Sequence, residues 1–419
     1  MSHSEYVHQA EKELLPIFRE IDHQVKKNLF KILTAFRSQR VGSHHFGSVS
    51  GYGHDDLGRQ VLDQVFAQVM GAPSAAVRIQ FVSGTHAIAC GLFGILRPGD
   101  ELLAVAGAPY DTLEEVIGLR GDGQGSLKDF GISYREVPLT SRGEVDWFSL
   151  NTAIQPQTRM VLIQRSCGYS WRSSLSIEDI AQIIAVVKRQ QPQLICFVDN
   201  CYGEFSDTRE PPEVGADLIA GSMIKNPGGT IVTAGGYVAG KRELVEAATC
   251  RLTAPGIGSC GGATFEQNRW LFQGLFLAPQ MVGEAMKGSH LIAHVFQQLG
   301  YPVKPDPFSP RRDVIQAVQL GSPEKLIAFC RAIQQNSPVG SYLDPVPAAM
   351  PGYESQLIMA GGTFVDGSTS ELSADGPMRE PYLVFCQGGT HWSHVAIALD
   401  AAVQAILKLD DSVPPGSMD

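Results

Sequence analysis

Two apolar runs in this chain end on ionisable residues, which ordinary cores avoid. The run LICFVDNCYGEF, residues 194–205, reads as a strand that ends in Asp199. In open α/β sheets ligands bind at the carboxyl ends of strands, so an acid there is placed to meet one. Capping of the next turn is the plainer alternative for Asp199. The run DLIAGSMIKNPGGT, residues 217–230, carries a second strand pattern into Ser222 and Lys225, followed by Asn-Pro-Gly-Gly. Lysine is rarely buried unless paired. Burial disfavours its charged form and lowers its pKa, which suits an amine that attacks a carbonyl. A surface lysine in a loop is the alternative. A third stretch, RIQFVSGTHAIACGLFGIL, residues 78–96, runs through Ser83-Gly84-Thr85 straight into a helix pattern. Backbone N–H groups at such a helix start, with the two hydroxyls, form a cradle for a phosphate. Ser and Thr also favour that position as simple caps.

The elements that must hold these residues can be read from periodicity. Leu14, Phe18, Ile21, Val25, Leu29, Ile32 and Phe36 fall on one helical face. The glycine-rich stretch from Gly42 to Gly58 reads as a loop, and a helix follows near Arg59–Met70. Short apolar runs at Val77–Val82, Glu101–Ala106, Met160–Gln164, Leu194–Val198 and Asp217–Gly221 have the character of buried parallel strands. Helix patterns lie between them at Thr85–Leu96, Thr112–Leu119 and Ser176–Gln190, and Gly235–Gly240 adds an antiparallel strand. The alternation predicts an α/β domain. Tyr301-Pro302 and Pro305–Pro310 mark a proline-rich hinge before mixed α+β elements and a last helix near Val395–Leu407. The polar tail 410–419 reads as frayed. The expected domains are a helical arm and loop over 1–50, a large α/β domain over 51–300 and a small α+β domain over 301–419.

Composition narrows the function classes. The chain has 419 residues, a net charge of −10 and no basic run, which argues against nucleic acid as a partner. Its eight cysteines form no CxxC pair and no zinc-ligand spacing, so reduced core thiols are expected rather than a disulfide framework or a metal site. The N-terminus lacks a signal-peptide core, and no apolar stretch approaches the ~20 residues that cross a bilayer. The reading is cytoplasmic, with no membrane partner.

The order of phosphate cradle, strand-end Asp199 and later Lys225 resembles the fold-type I pyridoxal 5'-phosphate (PLP) enzymes, and within them the Cys/Met metabolism group. Asp217, Leu218, Ser222, Lys225 and Gly229 match that group's lysine motif, whereas Met223, Ile224 and Asn226 depart from it. A closer resemblance is to the aluminium-resistance protein family related to cystathionine β-lyases. It rests on GYGHDDLGR (51–59), FVSGTHAI (81–88), GAPYDTLEEVIG (107–118), QRSCGYSWR (164–172), SMIKNPGG (222–229), REPY (379–382) and QGGTHWSH (387–394). The resemblance implies a mainly parallel seven-stranded-type sheet flanked by helices, with a smaller α+β domain. It implies PLP bound as a Schiff base on Lys225, with Asp199 on the pyridinium nitrogen and Ser83, Gly84, Thr85 and Ser222 around the phosphate. Tyr110 would stack on the ring and belong to the catalytic group. Tyr52 would reach the phosphate of a neighbouring subunit in a homodimer or homotetramer with shared active sites. Arg379 would grip the carboxylate of an amino-acid substrate. Tyr169 and Arg165 are both open for the cofactor's 3'-oxygen. The implied reaction is carbon–sulfur elimination at the β or γ position. A PLP aminotransferase and a non-catalytic PLP-fold protein in metal tolerance are the alternatives.

Other patterns fail their context. Gly256–Gly261 matches GxGxxG but follows Pro255 with no strand before it. Ser222–Lys225 matches SxxK without the SDN and KTG motifs that should accompany it. His44, His45, His391 and His394 lack a third ligand at useful spacing, so no metal site is expected.

Overall fold

Runs that bury both faces must lie side by side between helices, because only that arrangement hides a parallel sheet from water. The computed structural model, which describes residues 3–350 and 352–411, arranges them so. The helices are α1 His3–Ser38, α2 Leu57–Val69, α3 Gly84–Ile95, α4 Asp111–Ile117, α5 Trp147–Ala153, α6 Ile177–Gln190, α7 Arg242–Leu252, α8 Asn268–Gln298, α9 Pro323–Gln335 and α10 Trp392–Asp411. The first sheet contains β1 Ser74–Arg78, β2 Glu101–Ala104, β3 Ser133–Glu136, β4 Thr158–Gln164, β5 Ile195–Asp199, β6 Leu218–Ser222 and β7 Gly236–Gly240. Their order is β1-β7-β6-β5-β4-β2-β3. The pairs from β3 to β6 are parallel, and β7 and β1 close one edge antiparallel. The α/β class and the seven-stranded, mainly parallel sheet are as expected.

By its contacts the chain divides into a unit from Val25 to Pro279 and a unit formed by the chain before and after it. The divisions fall inside α1 and α8, whereas the sequence placed a boundary at residue 300. The core of the first unit joins Phe81, Ile88 and Leu92 to Leu102, Leu162, Phe197 and Leu218 from the sheet. α6 shows why its segment is a helix. Ser176 caps it and forms a reciprocal box with Asp179, while Ile177, Ile180, Ile183, Ile184 and Val187 bury one face.

The second unit contains β8 Val303–Lys304, β9 Ile315–Gln319, β10 Leu357–Ala360, β11 Ser373–Pro377 and β12 Leu383–Gln387, paired in the antiparallel order β10-β11-β12-β9-β8. Val7, Ala10, Leu14 and Phe18 of α1 share one core with Leu291, Val295 and Phe296 of α8 and with Leu399 and Val403 of α10. α10 is the one helix among the described residues that is long and apolar enough, by length and composition, to cross a membrane. The sequence reading places this helix near Val395–Leu407 but counts no apolar stretch of spanning length, because His394, Asp400 and Lys408 interrupt the run. Its buried positions Val395, Ala398, Leu399, Ala402, Val403 and Ile406 belong to that core.

Three other expectations need correction. β1 is not a parallel strand and stops at Arg78, where the guanidinium pairs with Asp63 at 2.7 Å and donates to the Ser259 carbonyl. Apolar periodicity is the same for either strand direction, so it could not reveal this. β3 was missed because its four residues carry no fully buried position. The proline-rich stretch is not a free hinge. Gln319 N–H donates to the Pro302 carbonyl, and the side chains of Gln316 and Arg311 donate to the carbonyls of Pro305 and Asp306. Most of the tail read as frayed, residues 412–419, lies outside the described residues.

The turn after Lys225 depends on close backbone packing. Gly229 has φ +53°, a left-handed conformation natural to glycine. A Cβ on Gly274 in α8 would collide with the Gly228 carbonyl oxygen. Gly274→Ala should therefore destabilise the protein by about 1–3 kcal/mol through overpacking. A lower thermal midpoint in calorimetry is the expected result, and an unchanged midpoint would show that this helix–turn contact yields freely.

Candidate active site

Parallel pairing sets Gln164, Asp199 and Ala220 at one level across β4, β5 and β6, at the last residues of β4 and β5, and β6 runs on to end at Ser222. This is where an open α/β sheet binds its ligand. Asp199, Cys201, Gly84 and Ser222 are buried there. Ser83, Thr85, Tyr110, Tyr202 and Lys225 are half-buried around them.

Residues 83–85 form a capped helix start. α3 starts at Gly84 with Ser83 as its cap, and the Ser83 hydroxyl accepts from His86 N–H at 3.1 Å. A Cβ on Gly84 would lie 3.0 Å from Cys201 Sγ and 3.3 Å from Ser222 Cβ, so glycine lets the helix start sit against both. Ser222 Oγ accepts from Ile224 N–H at 3.3 Å. Tyr110 caps α4 and receives a firm anchor. Its N–H donates to Gln164 Oε1 at 2.7 Å, and its hydroxyl pairs with Thr85 Oγ1 at 2.6 Å. Burial, reinforced by Asp199 and Cys201, pushes the Tyr110 phenol well above its usual range. The group is therefore a neutral phenol at physiological pH.

Asp199 is held by its own loop, with Cys201 N–H donating to Oδ1 at 3.1 Å. Burial raises the Asp199 carboxyl, and Lys225 acts against that rise. The lysine reverses one expectation. Burial lowers its pKa, but Tyr202, Cys201, Asp199 and Tyr110 outweigh burial and the net direction is up. Sequence could predict the desolvation, not the company.

The other two predicted residues are exposed. Tyr52 is 84% exposed on its glycine-rich loop. Arg59 braces that loop by donating to the carbonyls of Gly53, Gly262 and Cys260, and Gly262 N–H donates to the Tyr52 carbonyl at 2.9 Å. Arg379 is exposed in the turn between β11 and β12, within the second unit. Arg165, one of two candidates for the 3'-oxygen, is committed elsewhere. It donates to Asn200 Oδ1 at 2.8 Å and Ser206 Oγ at 3.1 Å and lies 3.6 Å from Glu210.

Sequence reasoning missed Cys201, Tyr202, Glu204 and Asn226. Their signal was proximity to Asp199 and Lys225 in DNCYGEF and SMIKNPGG. Asn226 donates to the carbonyls of Tyr202 at 2.9 Å and Glu204 at 3.0 Å, which ties the lysine turn to the aspartate loop. Glu204 is fully buried, accepts from the Tyr237 hydroxyl at 2.7 Å, and its other oxygen has no hydrogen-bond partner among the described residues. Burial pushes its carboxyl up to about 8. Unfolded, the same group titrates near 4.5. The folded state therefore binds the extra proton between these values, and the stability contributed below about 4.5 is lost as pH rises toward about 8. Glu204→Gln should remove that loss. Denaturant midpoints at pH 5 and pH 8 should converge in the variant relative to the parent, and a parallel pH dependence in both would refute the assignment.

Comparison with known proteins places this geometry in context. The family described as methionine gamma-lyase matches residues 3–407. The uncharacterised Bacillus subtilis protein YnbB is 46% identical over 401 residues, covering 96% of this chain and 95% of the relative. A Listeria monocytogenes structure, described as a candidate cystathionine beta-lyase involved in aluminium resistance, shares 48% identity with a TM-score of 0.93. It covers 96% of this chain and 99% of that one. A Clostridium novyi structure described as a carbon-sulfur lyase involved in aluminium resistance shares 44% identity with a TM-score of 0.92, covering 96% and 95%.

Proposed function

The chain belongs to the methionine gamma-lyase family, and from that premise we propose that it holds PLP on Lys225 and cleaves a carbon–sulfur bond of an amino acid by β- or γ-elimination. The observation that carries the proposal is the meeting of strand-end Asp199 with Lys225 beside the α3 cradle.

The residues present fit the cofactor. The α3 start at Gly84, with the hydroxyls of Ser83, Thr85 and Ser222, would hold its phosphate. Asp199 would face the ring nitrogen and keep it protonated, and Tyr110 would stack on the ring. When bound, PLP supplies an electron sink for charge that develops at the substrate α-carbon. Lys225 Nζ takes the α-proton once it is a free amine and can return a proton to the product. Arg379 is assigned to the substrate α-carboxylate, because its planar fork makes two parallel hydrogen bonds that lysine cannot copy. Tyr52 is assigned to the phosphate of a second copy, a role supported by its braced and exposed loop. Among the described residues no group of three or more His, Cys, Asp or Glu is placed to hold a metal ion.

Incubation with a panel of sulfur-containing amino acids should release thiol, ammonia and keto acid together. Amino transfer to an added keto acid, without ammonia, would instead identify an aminotransferase. Asp199→Asn should lower turnover by roughly 10–150-fold with cofactor retained. In the same assay Arg379→Lys should weaken amino-acid binding by roughly 10–100-fold. Unchanged kinetics in either variant removes that residue from its role.

Mixing Tyr52→Phe with Lys225→Ala protein checks the shared site. If Tyr52→Phe alone is strongly impaired and subunits exchange, mixed dimers should regain part of the activity. Absence of rescue under those conditions excludes a site built by two copies.

A further inference from the structure

Lys225 Nζ lies 3.9 Å from the centroid of the Tyr202 ring, over its face. A cation at that distance is attracted by the negative face of an aromatic ring. Tyr202 reaches this position at a conformational cost, since its backbone has φ +71°, a left-handed value uncommon for a bulky side chain. Outliers of this kind persist where the surroundings impose them. Here the restraint is visible. Asn226, next to the lysine, donates through its side-chain amide to the Tyr202 carbonyl at 2.9 Å and the Glu204 carbonyl at 3.0 Å. The ring and the amine are thus mounted on two loops tied together one residue from Lys225.

We infer that Tyr202 is a positioning residue whose ring face holds the free Nζ of Lys225 between its covalent attachments. The inference rests on the reading that Lys225 carries the cofactor. A lysine side chain has four rotatable carbons and loses reach when it wanders. A ring face supplies a resting place that is attractive without being a hydrogen-bond acceptor of fixed direction. The amine then stays beside Asp199 while the substrate is bound. The other groups that act on Nζ are Cys201, Asp199 and Tyr110, and Glu204 feels its charge in turn. None of these is altered in the variants below.

The test uses the full-length chain, stripped of cofactor and then exposed to PLP across a pH series. Borohydride trapping and peptide mapping at each pH measure pyridoxyl-Lys225. The midpoint of the rising limb reports the acidity of the free amine. Tyr202→Leu removes the ring, and should move that midpoint down by about 0.4–1.5 pH units. Tyr202→Phe retains a ring face and should keep the parent's midpoint. Replacement of Tyr202 by pentafluorophenylalanine preserves ring shape and reverses the charge of its face. It should shift the midpoint as Leu does, and it serves if the Leu variant fails to fold. Parent-like midpoints in the leucine and fluorinated variants overturn the inference, as does a Phe variant that shifts like Leu, since the contact then runs through the hydroxyl. Label on a lysine other than Lys225 in the parent overturns the underlying reading instead.

Discussion

An acid and an amine set at the ends of adjacent parallel strands, where burial penalises either charge alone, form the constraint on which this structure turns. Asp199 ends β5, and Lys225 follows the end of β6 three residues later. Each shifts the other's titration in the direction of charge. A buried charge without its partner costs several kcal/mol, so the two must be brought together and kept there. Much of the surrounding architecture can be understood as the means of keeping them.

Those means are chiefly backbone contacts. Asn226 ties the lysine turn to the aspartate loop. The glycines of that turn meet α8 at Gly274 so closely that side chains are excluded. Behind the pair, Arg165, Asn200, Ser206 and Glu210 form a buried polar network, with Tyr237 and Glu204 beside it. Such networks fix one arrangement strongly when their members are satisfied. Arg165 Nε and one Glu204 oxygen have no hydrogen-bond partner among the described residues, and the latter is consistent with a carboxyl that keeps its proton.

The unit from Val25 to Pro279 contains Ser83, Gly84, Thr85, Tyr110, Asp199 and Lys225. The other carries Arg379 on an exposed turn between two strands of an antiparallel sheet. Both sets of side chains are positioned by strand ends, the first by buried parallel strands and the second by the turn from β11 to β12.

Local pattern was enough to locate the central strands of the first sheet, the helices α1 to α4, α6 and α10 in outline, and to single out Ser83, Gly84, Thr85, Tyr110, Asp199, Ser222 and Lys225, whereas α5, α7, α8 and α9 were not read from it. Apolar periodicity, capping residues and glycine placement are properties of neighbours along the chain, so the sequence by itself determines them. The direction of β1 and the existence of the weakly buried β3 depend on which strand each pairs with. The division at Pro279 depends on contacts far apart in sequence. The same holds at the site. Sequence predicts that a lysine after a buried strand is desolvated, but Tyr202, Cys201 and Tyr110 reach it only through the fold, and together with Asp199 they reverse the direction of its pKa. Short-range order is written in residue spacing, whereas the electrostatics of a site are set by groups that only tertiary packing brings within a few ångströms.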